Sequence, residues 1–207
     1  MHRKKLLTIL VIFVLILVNN ICFAEEWREW AKKGNDYYRK FKWAEALECY
    51  NKSLAIHTTI NNLFNRAFVY QYLGEYEKAL NEWDEIIPLI PDNPYVYGNK
   101  AEVLIELGRT KEAINEFERA LSHNPNEDAK LEYMGTIKYL SGEIEEAIEY
   151  YNKSLAIREG NYVLFLLGKT YCSQGEYGKA FIYYEKSCSK GEYKGCKAYE
   201  ELENKLK

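Results

Sequence analysis

Apolar and small residues recur along this chain at helical spacing, in blocks that repeat every 33 or 34 residues. Within each block the landmark residues stand three or four positions apart, which places them on one face of a helix. The heptapeptide at 50–56 (Tyr-Asn-Lys-Ser-Leu-Ala-Ile) returns unchanged at 151–157. This self-similarity predicts an all-α protein in which each pair of helices buries its apolar face against neighbouring pairs.

Each block carries a small residue in its first helix, a turn residue seven positions later and an alanine twelve positions later. The small residues are Gly34, Ala67, Ala101, Gly135 and Gly168. The turn residues are Phe41, Gly74, Gly108, Gly142 and Gly175, and the alanines are Ala46, Ala79, Ala113, Ala147 and Ala180. Small residues let two antiparallel helices approach closely, and glycine tolerates the left-handed backbone at which a helix ends. Pro88 lies inside the second helix of its block, and we expect it to end or kink that helix.

These landmarks resemble the tetratricopeptide repeat family. The resemblance spans five blocks, at about residues 27–59, 60–93, 94–127, 128–160 and 161–191. It implies ten antiparallel helices in a right-handed α-solenoid with a concave groove, followed by a capping helix at about 193–206, so that the repeat domain covers 25–207. Two departures are Lys138, which replaces an aromatic residue, and Phe41, which replaces the turn glycine.

The first 24 residues form a separate segment. Basic residues at 3–5 precede an apolar run at 6–18, and Cys22-Phe23-Ala24 follows. This order is typical of a secretory signal peptide cleaved after Ala24, and the run is shorter than the roughly 20 residues that span a bilayer. An uncleaved membrane anchor is the alternative. In both cases the sequence predicts that the remainder is exported, to the periplasm or the extracellular space.

The charge balance limits the class of partner. Without residues 1–24 the chain has 25 Lys and Arg against 31 Asp and Glu, a net charge of −6. Nucleic-acid-binding proteins carry basic patches that neutralise phosphates, and this composition does not provide one. The sequence therefore predicts a protein or peptide partner and no nucleic acid, with membrane contact only through an uncleaved N-terminal segment.

Two cysteines near the C-terminus extend the resemblance. Cys188 and Cys196 lie in a segment, 180–199, that resembles the cysteine-rich variety of Sel1-like repeats. This resemblance implies a disulfide that ties the end of one helix to the start of the next, worth roughly 2–3 kcal/mol. Two free thiols are the alternative. Cys49 and Cys172 are expected to be unpaired and partly buried.

The sequence offers no basis for catalysis, a metal site or a cofactor. His57 and His123 lie near the ends of second helices in different blocks. The chain has no His-Glu-x-x-His, no Gly-x-Ser-x-Gly and no phosphate-binding glycine loop. Acidic pairs such as Glu145-Glu146 are expected on solvated helix faces. We therefore predict a non-catalytic protein.

In the family that the chain resembles, the first helix of each repeat lines the concave groove. By that resemblance the partner-binding residues are Asn35, Tyr38, Asn65, Phe68, Tyr72, Asn99, Tyr133, Tyr139 and Lys169. An asparagine amide can donate to and accept from a peptide backbone, and tyrosine adds a rigid apolar surface with a polar tip. For Tyr38, Tyr72, Tyr133 and Tyr139, packing between repeats is an equal alternative.

One binding mode of the family can be tested on the sequence. Some tetratricopeptide domains hold a C-terminal carboxylate with two asparagines and three basic residues. Asn35 and Asn65 match the asparagines, but the basic positions hold Ala31, Tyr95 and Asn99. Because a carboxylate needs charged or multi-donor partners, binding of a chaperone tail is not predicted.

The sequence thus predicts an exported scaffold that holds a peptide or protein in its groove, in the setting of cell-envelope assembly. A structural subunit that uses its convex face or its termini is one alternative. An enzyme of peptidoglycan or carbohydrate turnover is another. Such an enzyme needs an acid pair in the groove, where the sequence indicates only Glu102.

Overall fold

The computed structural model describes residues 26–206, which form α-helices and one short 3-10 helix, with no strand in that range. The predicted signal peptide, 1–24, lies outside the described residues. The helices are α1 (26–39), α2 (Trp43–Ile56), α3 (Ile60–Tyr72), α4 (Tyr76–Ile86), α5 (Pro94–Glu106), α6 (Thr110–Ser122), α7 (Glu127–Leu140), α8 (Ile144–Ile157), α9 (Asn161–Ser173), α10 (Tyr177–Ser189) and α11 (Tyr193–Leu206). The chain divides into two compact units, unit 1 ending at Ile90 and unit 2 beginning at Pro91. We call α1, α3, α5, α7 and α9 first helices, and the helices that follow them second helices.

The turns between first and second helices follow the predicted glycine pattern. Gly74, Gly108, Gly142 and Gly175 have φ between 72° and 82°. Phe41 takes the same place after α1 with a φ of 58°, a conformation that costs a residue with a side chain about 1–2 kcal/mol. Pro88 also acts as predicted, because α4 ends at Ile86 and a 3-10 turn, Ile87–Leu89, follows.

Lys138, the second departure from the repeat pattern, forms ion pairs in its repeat. Its Nζ lies 2.6 Å from Glu143 Oε2 and 2.9 Å from Glu146 Oε2. These acids lie at the start of α8, so the lysine links the end of α7 to the next helix. Two charge-assisted contacts thus stand at the position where the other repeats carry Tyr37, Tyr70, Leu104 and Tyr171.

Three repeats have an aromatic ring lying directly on a glycine of the first helix. The pairs are Gly34 with Tyr50, Gly135 with Tyr151, and Gly168 with Tyr184. A Cβ built on Gly168 would lie 2.5 Å from Tyr184 Cδ1, closer than real contacts allow. In the repeat that has Trp83 at the ring position, the small landmark is Ala67, and both residues are fully buried. The small landmark is thus matched to the ring that packs against it.

A serine hydrogen bond fastens the two helices together in the same three repeats. Ser53 donates to the carbonyl of Trp27 at 2.7 Å, Ser154 to that of Asp128 at 2.9 Å, and Ser187 to that of Asn161 at 2.8 Å. Each serine is at most 1% exposed. Because each buried hydroxyl donates a hydrogen bond, its burial does not carry the free-energy cost of an unpaired donor.

Helix α11 is joined to the last repeat. A disulfide links Cys188, near the end of α10, to Cys196, in the first turn of α11. Leu202 of α11 is buried with Ala180 and Tyr184 of α10. None of the described helices has the length and apolar character that crossing a membrane requires.

Candidate functional site

The first helices of unit 1 bring Asn35 and Asn65 together. Asn65 Nδ2 donates to Asn35 Oδ1 at 3.0 Å, and the Tyr50 hydroxyl donates to the same oxygen at 2.7 Å. Both asparagines are half-buried. Among the described residues, Asn35 Nδ2 and Asn65 Oδ1 have no further partner. This asparagine pair therefore offers one donor and one acceptor, the set that a peptide backbone requires.

Aromatic side chains form a patch at the C-terminal ends of α1 and α3. Trp43 stacks on Tyr72 with ring centroids 4.3 Å apart, and Tyr38 meets them edge-on at 5.3 and 6.0 Å. Phe41 lies 5.5 Å from Trp43 and is 43% exposed, and the adjacent Leu73 is 36% exposed. We call these five residues the aromatic patch.

The patch contains two predicted residues and three that the sequence analysis missed. Tyr38 and Tyr72 are half-buried in it, while Phe41, Trp43 and Leu73 were not among the predicted site residues. The signal for Phe41 was present in the sequence, because a bulky residue at a turn glycine position is out of pattern.

Phe68, also predicted to bind the partner, lies elsewhere in unit 1. It packs edge-on against Trp83 at 5.3 Å, within its own repeat. Its ring is half-buried. Phe68 thus contributes mainly to packing between α3 and α4.

Unit 1 also has a cleft near the C-terminal ends of α2 and α4, which we call the second-helix cleft. Its volume is about 430 Å³, and Leu54, Leu63, Arg66, Glu85 and Leu89 line it. Leu89 is 54% exposed because the turn caused by the preceding proline presents it to solvent. This cleft is the surface that we consider for the alternative prediction, a structural subunit.

Most predicted site residues of unit 2 are packed against other repeats. Tyr133 is 5% exposed, and a Cβ on Gly98 would lie 2.5 Å from its hydroxyl. Burial raises the pKa of Tyr133 well above its usual range. The prediction that Tyr133 contacts a partner does not fit this placement, since packing against the preceding first helix leaves its ring little exposed surface.

Asn99, Tyr139 and Lys169 are half-buried on the first helices of unit 2. Tyr139 shares a hydrogen bond with Ser173, and the Lys169 ammonium lies 5.8 Å from the Tyr139 ring. Burial lowers the pKa of Lys169. The cavity beside these residues measures about 20 Å³, room for about one water molecule.

A charged cluster that the sequence analysis missed fills the space beside these residues. The Lys194 ammonium lies 3.5 Å from Glu102 Oε2, 3.8 Å from Glu106 Oε1 and 5.3 Å from the Tyr162 ring centroid. The Tyr162 hydroxyl donates to Glu102. We call Lys194, Glu102, Glu106 and Tyr162 the Lys194 cluster. It joins α11 to α5 and α9.

Burial and mutual charge shift the pKa values in this cluster. Burial raises the pKa of Glu102, against the opposing effect of the Lys194 charge and hydrogen bonds. Burial acts to lower the pKa of Lys194, but the carboxylates of Glu102, Glu106 and Glu192 outweigh it, so that the pKa is raised. At neutral pH the ammonium is therefore charged and its position is set by the surrounding acids.

Glu132 lies at the edge of a larger cleft in unit 2. The cleft has a volume of about 450 Å³ and is lined by Asp128, Glu132, Arg158, Asn161, Tyr162 and Lys190, among others. Burial raises the pKa of Glu132 to about 8, and the charges of Glu102 and Asp128 act in the same direction. Asp128 forms an ion pair with Arg158.

These acids do not form the pair that a glycoside hydrolase requires. Asp128 and Glu132 stand four residues apart on α7, so both side chains project from the same side of one helix. Hydrolysis needs two carboxyl groups that flank the scissile bond. The cavity beside Glu102 is too small for a sugar. Among residues 26–206, no group of three potential ligands could hold a metal ion.

Comparisons with known proteins agree with this architecture. Two family models, both described as tetratricopeptide repeat, match the chain, one at residues 127–189 and the other at 27–59 and 94–127. TPR repeat-containing protein MJ1428 of Methanocaldococcus jannaschii is 29% identical over 160 residues, which are 76% of this chain and 28% of that protein. The chain spans between 14% and 29% of the length of the first curated relatives that it matches.

Solved structures show the same fold. The thermophilic TPR protein TTC0263 of Thermus thermophilus has a TM-score of 0.68 and 18% identity, covering 85% of this chain and 98% of that one. The first TPR of Spaghetti (RPAP3), bound to the HSP90 peptide SRMEEVD, has a TM-score of 0.51 and 23% identity, covering 58% of this chain and 94% of that one. These likenesses confirm the predicted all-α solenoid fold class.

Proposed function

Because the chain belongs to the tetratricopeptide repeat family, whose members generally act as non-catalytic protein-interaction scaffolds, we propose that it is an exported scaffold that holds a peptide segment of a partner protein against unit 1. The segment lies over the aromatic patch and the asparagine pair. The proposed compartment, outside the cytoplasm, rests on the N-terminal sequence, and the setting of envelope assembly is inferred from that compartment.

The observation that carries this proposal is the aromatic patch with the asparagine pair beside it. Tyrosine and tryptophan are the residues over-represented among interface hot spots, because they bury much apolar area at little entropic cost. The exposed Phe41 and Leu73 extend the apolar surface. In unit 2 the matching region is filled by the Lys194 cluster, so unit 1 offers the better binding surface.

The patch favours a segment with an apolar or aromatic side chain and an accessible backbone. Asn35 Nδ2 and Asn65 Oδ1 can bond a backbone carbonyl and amide without specifying sequence. An acidic chaperone tail is not proposed, because Ala31, Tyr95 and Asn99 fill the basic positions of the carboxylate-binding mode. The Spaghetti structure therefore supports peptide binding by a domain of this fold, and it does not indicate which peptide this chain binds.

The second-helix cleft supports a second candidate, a structural subunit that binds its partner through this cleft. The cleft presents Leu54, Leu63 and the exposed Leu89 in a volume of about 430 Å³. Polar and charged side chains, among them Arg66 and Glu85, complete its lining, and clefts of this size with apolar side chains and a few polar groups are common binding sites. It differs from the aromatic patch in lacking aromatic anchors.

A pull-down from envelope extract distinguishes the two surfaces. We expect Tyr38→Ala and Tyr72→Ala each to weaken capture of the partner at least about tenfold, as truncation of an aromatic anchor does. Leu89→Ala, in the second-helix cleft, is the matched control and should bind like wild type. Circular dichroism checks that each variant keeps its helix content.

The reverse result favours the structural subunit. If Leu89→Ala loses the partner while both tyrosine variants retain it, binding at unit 1 through the aromatic patch is wrong. Tyr133 is not a suitable probe, because its buried ring would report packing instead of binding.

A further inference from the structure

Helix α11 makes a contact that a simple capping helix does not need. Lys194 is the second residue of α11, and its ammonium reaches Glu102 and Glu106 on α5, at 3.5 and 3.8 Å. The Lys194 side chain is 20% exposed and that of Glu102 is 17% exposed. The lysine thus links α11, at the end of unit 2, to the first repeat of that unit.

Three other contacts hold α11 in this position. The disulfide fixes Cys196 to Cys188 of α10. Gly195 packs against Ser187 so closely that a Cβ there would overlap the serine Oγ. Leu202 is 4% exposed. The lysine is therefore placed by a short, covalently fixed connection.

We propose that α11 is an autoinhibitory strap, in which Lys194 occupies the surface of unit 2 where a cationic segment of a partner would otherwise bind. The placement of α11 as a strap can be tested on this chain without a partner. Only its consequence for the partner rests on the proposed scaffold function.

The chemistry of the partner segment that would replace Lys194 on this surface follows from the groups that Lys194 contacts. Two carboxylates and the face of a tyrosine ring surround its ammonium, which is the combination that binds a cation by charge and by cation–π attraction. Glu192, which is 9% exposed, adds a third carboxylate nearby. Residues 91–206 contain 15 Lys and Arg against 20 Asp and Glu, so the field of unit 2 also favours a positive segment.

The chain contains a reporter of strap position. Cys172 is a free, half-buried thiol on α9 that packs in the same apolar cluster as Ala198, Tyr199 and Leu202 of α11. Release of α11 should expose it. Cys49, the buried free thiol of unit 1, serves as an internal control.

The test measures alkylation of Cys172 by iodoacetamide, resolved by peptide mass spectrometry in the full chain. Because the disulfide also holds α11, the rates are compared in dithiothreitol, which reduces the Cys188–Cys196 bond. Under these conditions we expect Lys194→Gln to raise the alkylation rate of Cys172, relative to that of Cys49, at least fivefold above the wild-type value. Lys197→Gln, on the same helix with a side chain that is 63% exposed, should leave the rate unchanged. Equal rates in wild type, Lys194→Gln and Lys197→Gln would overturn the strap.

A cationic probe tests what the strap covers. Acetyl-hexalysine amide should bind Lys194→Gln at least tenfold more tightly than wild type by fluorescence titration. The double variant Glu102→Gln/Glu106→Gln should also raise Cys172 alkylation but should not gain probe affinity. Equal probe affinity in Lys194→Gln and in the double glutamine variant would contradict the proposed site.

Reduction of the disulfide provides a test without any substitution. In the wild-type chain, dithiothreitol should raise Cys172 alkylation at least threefold relative to Cys49, and an unchanged ratio would contradict the strap even if Lys194→Gln fails to fold. None of these measurements uses the natural partner. A failed pull-down through unit 1 therefore leaves them unaffected.

Discussion

Replacing Gly168 with alanine is expected to lower the free energy of unfolding by about 2 kcal/mol, an effect of overpacking. The added Cβ would lie 2.5 Å from Tyr184 Cδ1 and 2.6 Å from its Cε1. The ring is 5% exposed and packs with Ala180 and Leu202, so it has little room to move away. Overpacking of about 1–3 kcal/mol exceeds the gain of up to about 1 kcal/mol from alanine's helix propensity.

Gly178→Ala is the matched control, because it lies in helix α10 with nothing within 4 Å of a built Cβ. Its expected effect is a small stabilisation, up to about 1 kcal/mol. Thermal unfolding followed by circular dichroism should show a Tm lowered by about 4–8 °C for Gly168→Ala. Equal stability of the two variants would show that packing against the Tyr184 ring does not require glycine at position 168.

Glu132→Gln is expected to stabilise the protein at pH 7, by an amount on the order of 3 kcal/mol, and to have little effect at pH 4. Burial raises the pKa of Glu132 to about 8 in the folded chain, whereas an unfolded glutamate titrates near 4.5. Between these two values the folded state binds a proton that the unfolded state does not. The stability of the wild-type chain therefore falls as the pH rises from about 4.5 to about 8, by up to about 1.4 kcal/mol per pH unit.

The groups around Glu132 make the sign of this prediction secure. Glu102, Asp128 and Glu192 repel its negative charge, and only Arg158 acts in the opposite direction. Glutamine cannot ionise and so removes the dependence. Urea unfolding at pH 4, 5.5 and 7 provides the measurement, with the exposed Glu118→Gln as control. A difference between Glu132→Gln and wild type that stays constant with pH would contradict the assignment.

Much of the fold could be predicted from the sequence because repeat landmarks act locally. The turn glycines, the break at Pro88 and the small residues of the first helices depend on backbone geometry and on one facing ring. These constraints recur every 33 or 34 residues, so each repeat supports the interpretation of the others. The position of Phe41 was visible as a departure, but its exposure beside Trp43 was not.

The candidate site was less predictable because it depends on contacts between repeats. Tyr38 and Tyr133 both lie on first helices, yet only Tyr38 belongs to an exposed patch. The ring of Tyr133 packs in the interior because Gly98 has no side chain at the contact. Gly98 is not one of the repeat landmarks, so the periodicity could not predict this contact. The Lys194 cluster was missed because α11 follows the last repeat and has no position in the pattern. Its lysine meets Glu102 only once the whole of unit 2 is folded.

The most direct test of the account is site-specific photocrosslinking in envelope extract. A benzoylphenylalanine in place of Tyr72 should crosslink a partner protein, because the proposed segment lies on the aromatic patch. The same group in place of Leu54, in the second-helix cleft, should give no crosslink to that partner. Crosslinking at position 54 with none at position 72 would contradict the proposal that unit 1 binds its partner through the aromatic patch.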